Sequence, residues 1–432
     1  MAEIDSPPRS RTTRHLIVIY RLYRTYVRLC QTLEVNPSGT PRTIDAGERR
    51  ARLASRHRLV PAERAGDVVD VVRSVVALHA TDAASVYLSA RARLNTPTVA
   101  AVEHALYEER ALVRLLGMRR TMFVVPVGLA PIVQSACTEA IAVVERRKLV
   151  GHIEQGGVAQ DGEAWLTRVG DATVAALEKR GEALATELSA DVPDLATEMK
   201  VGEGTKWAAT QKLSNRVLSV LAAEERIVRG RPRGTWTSTQ YRWAPRSAWL
   251  PDAEPTPPVD TARAELARRW LAAFGPGTAA DLKWWTGWTM GAARSALAAV
   301  GAVEVAVDGA VGYVLADDMD PVPAPAPAAA LLPALDPTPM GWTQREWYLG
   351  AHRGALFDRS GNIGPTVWWD GRIVGAWAQH REGEVVTRLL EDVGGEACAA
   401  VAAAAQGLTE WLGPARIRSR FPTPLERELV GR

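Results

Sequence analysis

An internal repeat constrains this chain more than any other feature. Residues 106–123 read LYEERALVRLLGMRRTMF, and residues 221–236 read LAAEERIVRGRPRGTW. Each passes from the end of an apolar-periodic helix, through Glu-Glu-Arg, into an apolar run with arginines at its tip. A third stretch at 297–315, LAAVGAVEVAVDGAVGYVL, keeps this outline without the basic tip. A helix followed at once by a two-stranded hairpin is the back half of a winged helix, and its repetition predicts a tandem array. The expected fold class is α+β, with tandem winged-helix units (helix-turn-helix plus β-hairpin wing) and a small β-rich C-terminal domain. The basic hairpins point to nucleic acid.

Punctuation residues divide the chain further. Residues 1–44 form a basic extension, read either as an amphipathic arm or as translation from an upstream start. The second reading is preferred, because the repeat pattern begins only after Thr43. A first unit spans 45–130, with Asp45 capping a helix to Arg58 and a second helix over Val68–Ala80. Helices over Ser85–Arg93 and Pro97–Glu109 and a hairpin over Leu112–Val125 complete it. A connecting helix and a second unit span 131–250, with helices at Ala164–Lys179, Ala183–Leu188 and Thr205–Ala223 and a wing over Arg226–Tyr241. Beyond the proline-rich stretch at 251–258, a third unit covers 259–318, with Thr278 capping its middle helix and Asp308-Gly309 turning its wing. Residues 329–432 carry strand candidates at Val367–Trp369, Ile373–Gln379 and Val385–Leu390, with a turn at Asp370-Gly371, and a helix at Ala397–Leu412.

Composition narrows the function classes. A hydrophobic share of 47% with 23% charged residues describes a globular chain with a real core. The formal net charge is only +3, so an anion-binding surface has to come from local clustering. Residues 200–243 supply it, with nine Lys/Arg against three acids. Three separated cysteines and seven scattered histidines show no metal-ligand spacing, and no HExxH or phosphate-binding Gly-Lys-Ser/Thr sequence occurs. Neither metal nor cofactor is expected. The apolar stretch at 16–33 is interrupted by Arg21, Arg24 and Arg28, so no membrane span is expected there. Free thiols and the absence of a secretory signal suggest a cytoplasmic, nucleoid-associated protein. Tandem units in one chain mimic a dimer, so a monomer acting on double-stranded DNA is expected.

Several blocks occur in a specific order: LHATDAASVYLSARARL at 78–94, GMRRTMFVVP at 117–126, the helix and wing at 205–243, LLPALDPTPMGWTQR at 331–345 and GRIVGAW at 371–377. In these the chain resembles the AlkZ-like (YcaQ-type) winged-helix DNA glycosylases over most of residues 45–430. The resemblance implies tandem winged helices around a DNA-binding channel, a C-terminal β domain, and release of alkylated or crosslinked bases from duplex DNA. The family's Gln-x-Gln or Gln-x-Asp motif corresponds here to His79-Ala80-Thr81, followed by Asp82. The family's histidine two residues beyond the hairpin threonine is replaced by Phe123.

The departure is chemically tolerable. A cationic alkylpurine is already activated to leave, so the protein has only to stabilise a positive sugar and place a water. His79, Thr81 and Asp82 are therefore the candidate catalytic residues. The alternative is a non-catalytic DNA-binding protein, such as a transcriptional regulator, in which they are merely polar residues at a helix end. Candidate DNA contacts are Arg119, Arg120 and Thr121 on the first hairpin, Lys206, Gln211, Lys212 and Asn215 on the predicted helix 205–223, and Arg229, Arg231 and Arg233 on the second wing. Asp336 and Arg345 are candidates for supporting the site, or for a buried ion pair holding their loop. Trp207, Trp270, Trp284 and Trp285, at helical spacing, are expected to be core residues.

Overall fold

Short polar caps start the N-terminal helices. Asp45 accepts from the Glu48 amide at 2.8 Å and opens α1 (Ala46–Arg56), and Asp67 accepts from the Asp70 amide at 2.8 Å and opens α2 (Val68–Ser74). The structure, a computed structural model, describes residues 41–201, 209–251 and 254–431. The basic extension at 1–40, Lys206 and Trp207 lie outside the described residues.

The helix expected over Val68–Ala80 stops at Ser74. Leu78 and His79 instead form a two-residue strand, β1, while Val76 turns the backbone at φ 66°. The cause is tertiary. Leu78 pairs with Val124 and His79 with Phe123. Just past the strand, the Ala80 amide donates to the Met122 carbonyl at 2.8 Å. Apolar spacing favoured a longer helix, but the hairpin claims these backbone groups. Helix α3 (Ala83–Arg91) then starts at Asp82, whose carboxylate accepts from the Ala84 amide at 3.1 Å. After α4 (Val99–Glu103) the hairpin itself follows as β2 (Leu112–Gly117) and β3 (Thr121–Pro126), giving a sheet in the order β1-β3-β2.

A long helical run, Val127–Gln155, comes next and ends in α5 (Glu139–Gln155). Its length and apolarity would suffice to cross a bilayer, yet 56% of its most apolar window is buried inside the protein, as in a core helix. The segment expected as the second unit is built from α6 (Gly162–Arg180), α7 (Ala185–Asp191), a hairpin of β4 (Glu198–Val201) with β5 (Ala209–Lys212), α8 (Ser214–Ala223), and a second hairpin of β6 (Ile227–Pro232) with β7 (Tyr241–Pro245). The helix expected from Thr205 thus begins only at Ser214. Met199 pairs with Gln211 and Glu198 with Lys212, so residues 209–212 are consumed by a ladder that sequence periodicity did not announce. The wing extends past Tyr241, because its second strand starts there.

The third helix-and-hairpin comprises α9 (Val259–Phe274), α10 (Ala279–Thr286), α11 (Met290–Ala299), β8 (Val303–Val307) and β9 (Ala310–Val314). Thr278 caps α10 reciprocally with Asp281, as expected. The Glu-Glu-Arg words of the repeat mark the joint where a helix gives way to its hairpin. Arg110 in the first copy and Glu225 in the second take left-handed φ values of 57° and 56°, and in the third copy Gly301 takes φ 64°.

The C-terminal region is a four-stranded antiparallel sheet in the order β10-β11-β12-β13: β10 (Ala329–Leu332), β11 (Thr366–Trp369), β12 (Arg372–Gln379) and β13 (Val385–Leu389). Helices α12 (Gly394–Leu412) and α13 (Pro424–Val430) follow it. Strand β10 had no sequence signal of its own.

The main apolar core runs through the first hairpin (Val124, Val125), α9 (Trp270, Phe274) and the C-terminal sheet (Trp368, Ile373). A separate core closes the second unit around Leu166, Val169, Leu213 and Leu218. The cleft described next lies where the two meet.

Candidate functional site

A cleft of about 580 Å³ opens between the strand-and-hairpin sheet and the second unit. Ala80, Thr81 and Met122 form one wall, and Asn215, Arg229, Arg233, Tyr241 and Trp243 form the facing one. Arg420, from the segment before α13, completes the rim. Four of the residues singled out in the sequence therefore converge here: Thr81, Asn215, Arg229 and Arg233.

Thr81 presents a buried hydroxyl that has no hydrogen-bond partner. His79 lies one strand position behind the cleft-lining Ala80, 6% exposed, with its ring 5.2 Å from that of Phe123 and its Nδ1 buried without a partner. Burial, reinforced by the nearby Arg119 guanidinium, pushes the His79 imidazole down to about 3, so it is a neutral acceptor throughout the physiological range. Asp82 is engaged as the cap of α3. Burial raises its carboxyl above the ordinary range, opposed by hydrogen bonds from the Ala84 and Arg420 backbone.

On the facing wall the Arg229 guanidinium lies 5.0 Å from the Trp243 ring centre and 6.0 Å from that of Tyr241. Burial lowers it to about 10, with Arg114 and Arg420 adding repulsion. Behind Tyr241 stands Arg114, 4% exposed, its guanidinium 4.5 Å from the Tyr241 ring centre. It donates through Nη1 to the Ala80 carbonyl at 3.2 Å, while its Nε has no partner. Arg114 thus ties the 79–81 segment to the wing.

The remaining predicted residues have other employment. Arg119 and Arg120 form the hairpin tip with φ values of 52° and 58°, a left-handed pair of the kind that Asn-Gly usually supplies. Arg119 folds inward, its guanidinium 4.0 Å from the Trp284 ring centre, and burial lowers it to about 10. Gly287, at φ 81°, caps α10 beside it, where an added Cβ would lie 3.4 Å from the Arg119 backbone. Arg120 is exposed and pairs with Glu145 at 3.3 Å, and the Thr121 hydroxyl donates to the Arg119 carbonyl at 3.3 Å. Arg231 is held by Glu103 and Glu108, both at 3.0 Å. Gln211 and Lys212 are exposed on β5 and do not line the cleft.

Asp336 and Arg345 do not pair with each other. Asp336 is fully buried against Arg93, at 2.6 Å and 2.8 Å, and also accepts from Ser89 at 2.7 Å. Arg93 and His57 both reach the Thr338 hydroxyl at 2.8 Å, so this network clamps the 336–338 loop onto α3 and α1. Arg345 donates to the Pro339 carbonyl at 3.2 Å and lies 4.8 Å from the Trp284 ring centre. Trp270 and Trp285 are core residues as expected, whereas Trp284 carries an arginine stack.

Sequence reasoning missed Arg114, Tyr241, Trp243 and Arg420. Arg114 did leave a signal, as a cation within the otherwise apolar strand LVRLL. Arg420 left none.

These elements define the class of protein. A family model described as "DNA glycosylase AlkZ-like" matches residues 72–411, and the chain belongs to that family. Among solved structures it is similar to the Streptomyces sahachiroi DNA glycosylase AlkZ, with a TM-score of 0.66 at 21% identity, covering 88% of this chain and 99% of that one. The two share a fold. A search of curated proteins returns no match.

Proposed function

We propose that this protein is a DNA-binding protein of tandem winged helices that releases modified bases from duplex DNA at the cleft beside Thr81. The observation that carries the proposal is the convergence of Ala80 and Thr81 with Asn215, Arg229 and Arg233 around one cavity. Segments more than a hundred positions apart in sequence meet there, as a site for a displaced or cradled nucleotide requires.

The chemistry asked of the protein is limited. When an alkylated purine leaves, its cationic ring takes the bonding electrons and departs neutral, and the sugar left behind is positively charged. A water must then add to that carbon and lose a proton. The partnerless Thr81 hydroxyl is placed to orient the water, and the neutral His79 Nδ1 is an acceptor for its proton through one relay. No general acid is needed.

A second reading has its own support. His79 does not line the cleft, so the residue that replaces the family's first glutamine is closed over. On that reading the protein binds DNA without cutting it.

Base release separates the two. Duplexes carrying 7-methylguanine, and duplexes with an interstrand crosslink, are incubated with the protein, and abasic sites are read by alkaline strand cleavage. Release that is lost in Thr81→Ala and His79→Ala, with duplex binding retained, supports the glycosylase. No release from any alkylated duplex overturns it in favour of the binding protein.

A further inference from the structure

We infer that Arg229, Arg233 and Arg420 form a clamp for one phosphodiester of the DNA backbone, with Arg114 as a fixed positive charge behind it. This rests on the DNA-binding reading above and names what the cleft holds.

The argument begins with charge balance. Three arginines line the cavity, and among the described lining residues there is no carboxylate. The acids next to lining residues are already engaged: Asp82 caps α3 and accepts from the backbone at Arg420, and Glu187 accepts from the Leu184 amide at 2.7 Å and pairs with Arg242 at 3.5 Å. Arg231, two positions from cleft-lining Arg229 on one side and from Arg233 on the other, holds two glutamates. The wing therefore separates arginines neutralised by the protein from arginines that are not.

Burial sharpens the contrast. A guanidinium withdrawn from water costs several kcal/mol unless an anion or full hydrogen bonding compensates it. Arg114 is 4% exposed with no carboxylate partner among the described residues; the Ala80 carbonyl and the side chains of Tyr87, Tyr107 and Tyr241 favour its charge, but its Nε is left without any hydrogen bond. Arg229 has two aromatic faces and no acid among the described residues. Arrangements of this kind are completed by an anion from outside. In a DNA-binding cleft the available anion is the phosphodiester, whose two free oxygens match the guanidinium fork.

The same field argues against the arginine side of the cleft holding the positively charged base itself. A cationic purine there would meet three arginines and no acid. The clamp therefore holds the backbone beside the lesion, leaving the base to the opposite, Ala80–Thr81 edge of the cleft.

The test is the salt dependence of duplex binding. Affinity of the whole protein for a blunt, unphosphorylated duplex is measured from about 50 to 200 mM KCl. Each phosphate contact contributes about 0.9 to the slope of log K against log salt. The Arg229→Gln/Arg420→Gln pair should lower that slope by about 1, and Arg229→Lys/Arg420→Lys should restore it with thermal unfolding unchanged. A single neutral methylphosphonate placed beside the lesion should weaken the wild type at one position in a scan and leave the Gln pair unaffected. If the wild type binds and the Gln pair keeps its slope, the clamp is overturned while DNA binding stands. If the wild type binds no duplex, the reading beneath it has failed.

Discussion

At the tip of the first hairpin Arg119 turns inward and stacks on Trp284, while at the tip of the second Arg233 stands exposed at the cleft. The two hairpins begin from nearly the same words. What separates them is the surface each tip meets. The first abuts α10, whose left-handed Gly287 leaves room for the Arg119 backbone. The second faces a cavity. A basic tip is thus a statement about charge, and the neighbouring element decides whether that charge serves stability or binding. The third copy takes the structural role furthest. Its tip residue Asp308 pairs with Arg49, and the Ile44 amide donates to its Ala306 carbonyl at 2.9 Å.

If the division between inward and outward arginines is correct, substitutions will sort into those that cost stability and those that cost affinity. The largest loss is expected at Arg93, the fully buried partner of Asp336. Arg93→Met strands a buried carboxylate and should cost about 3–5 kcal/mol in urea unfolding, with any remaining folded protein keeping its salt slope on DNA.

His79 gives the next effect. Its folded pKa, about 3, lies below the ordinary histidine value of 6.5, so on acidification the unfolded chain takes the proton first. The contribution is complete above about pH 6.5 and is lost progressively as pH falls towards 3, by about 1.4 kcal/mol per pH unit. His57, also held well below its usual value by burial, acts in the same direction. His79→Gln should remove one histidine's share of this slope. A pH profile identical to the wild type would mean that His79 is already solvated.

Arg119→Ala should then cost about 1–2 kcal/mol, the range of a desolvated cation–π contact, and leave duplex affinity within about twofold. A large loss of affinity with unchanged melting would place Arg119 on DNA and erase the contrast between the hairpins. The smallest expected effect is at Arg231, whose two half-exposed ion pairs are screened by solvent. Arg231→Gln should change stability by less than about 1 kcal/mol and leave the salt slope intact.

Much of this architecture was legible in the sequence because it is written in local chemistry. Caps at Asp45 and Thr278, the turns at Asp308-Gly309 and Asp370-Gly371, and the helix-to-hairpin joints are all fixed by neighbouring residues. The errors fall where distant backbone competes with local pattern. Val68–Ala80 and Thr205–Ala223 both have helical spacing, and both lose one end to a strand partner that periodicity does not reveal. The site was half legible for a related reason. Thr81, Asn215, Arg229 and Arg233 belong to recognisable blocks, whereas Tyr241 looked like the end of a wing and Arg420 lies in no recognised block. The partnership of Asp336 with Arg93, 243 positions apart, could not be read from spacing at all.

The Arg420 side chain reaches back to the Thr81 carbonyl across 339 positions of chain. On a ribosome Arg420 therefore emerges long after Thr81. The wall bearing Thr81 can be folded well before, yet its rim stays open until residue 420 has been made, so the cleft is the product of two widely separated moments of synthesis.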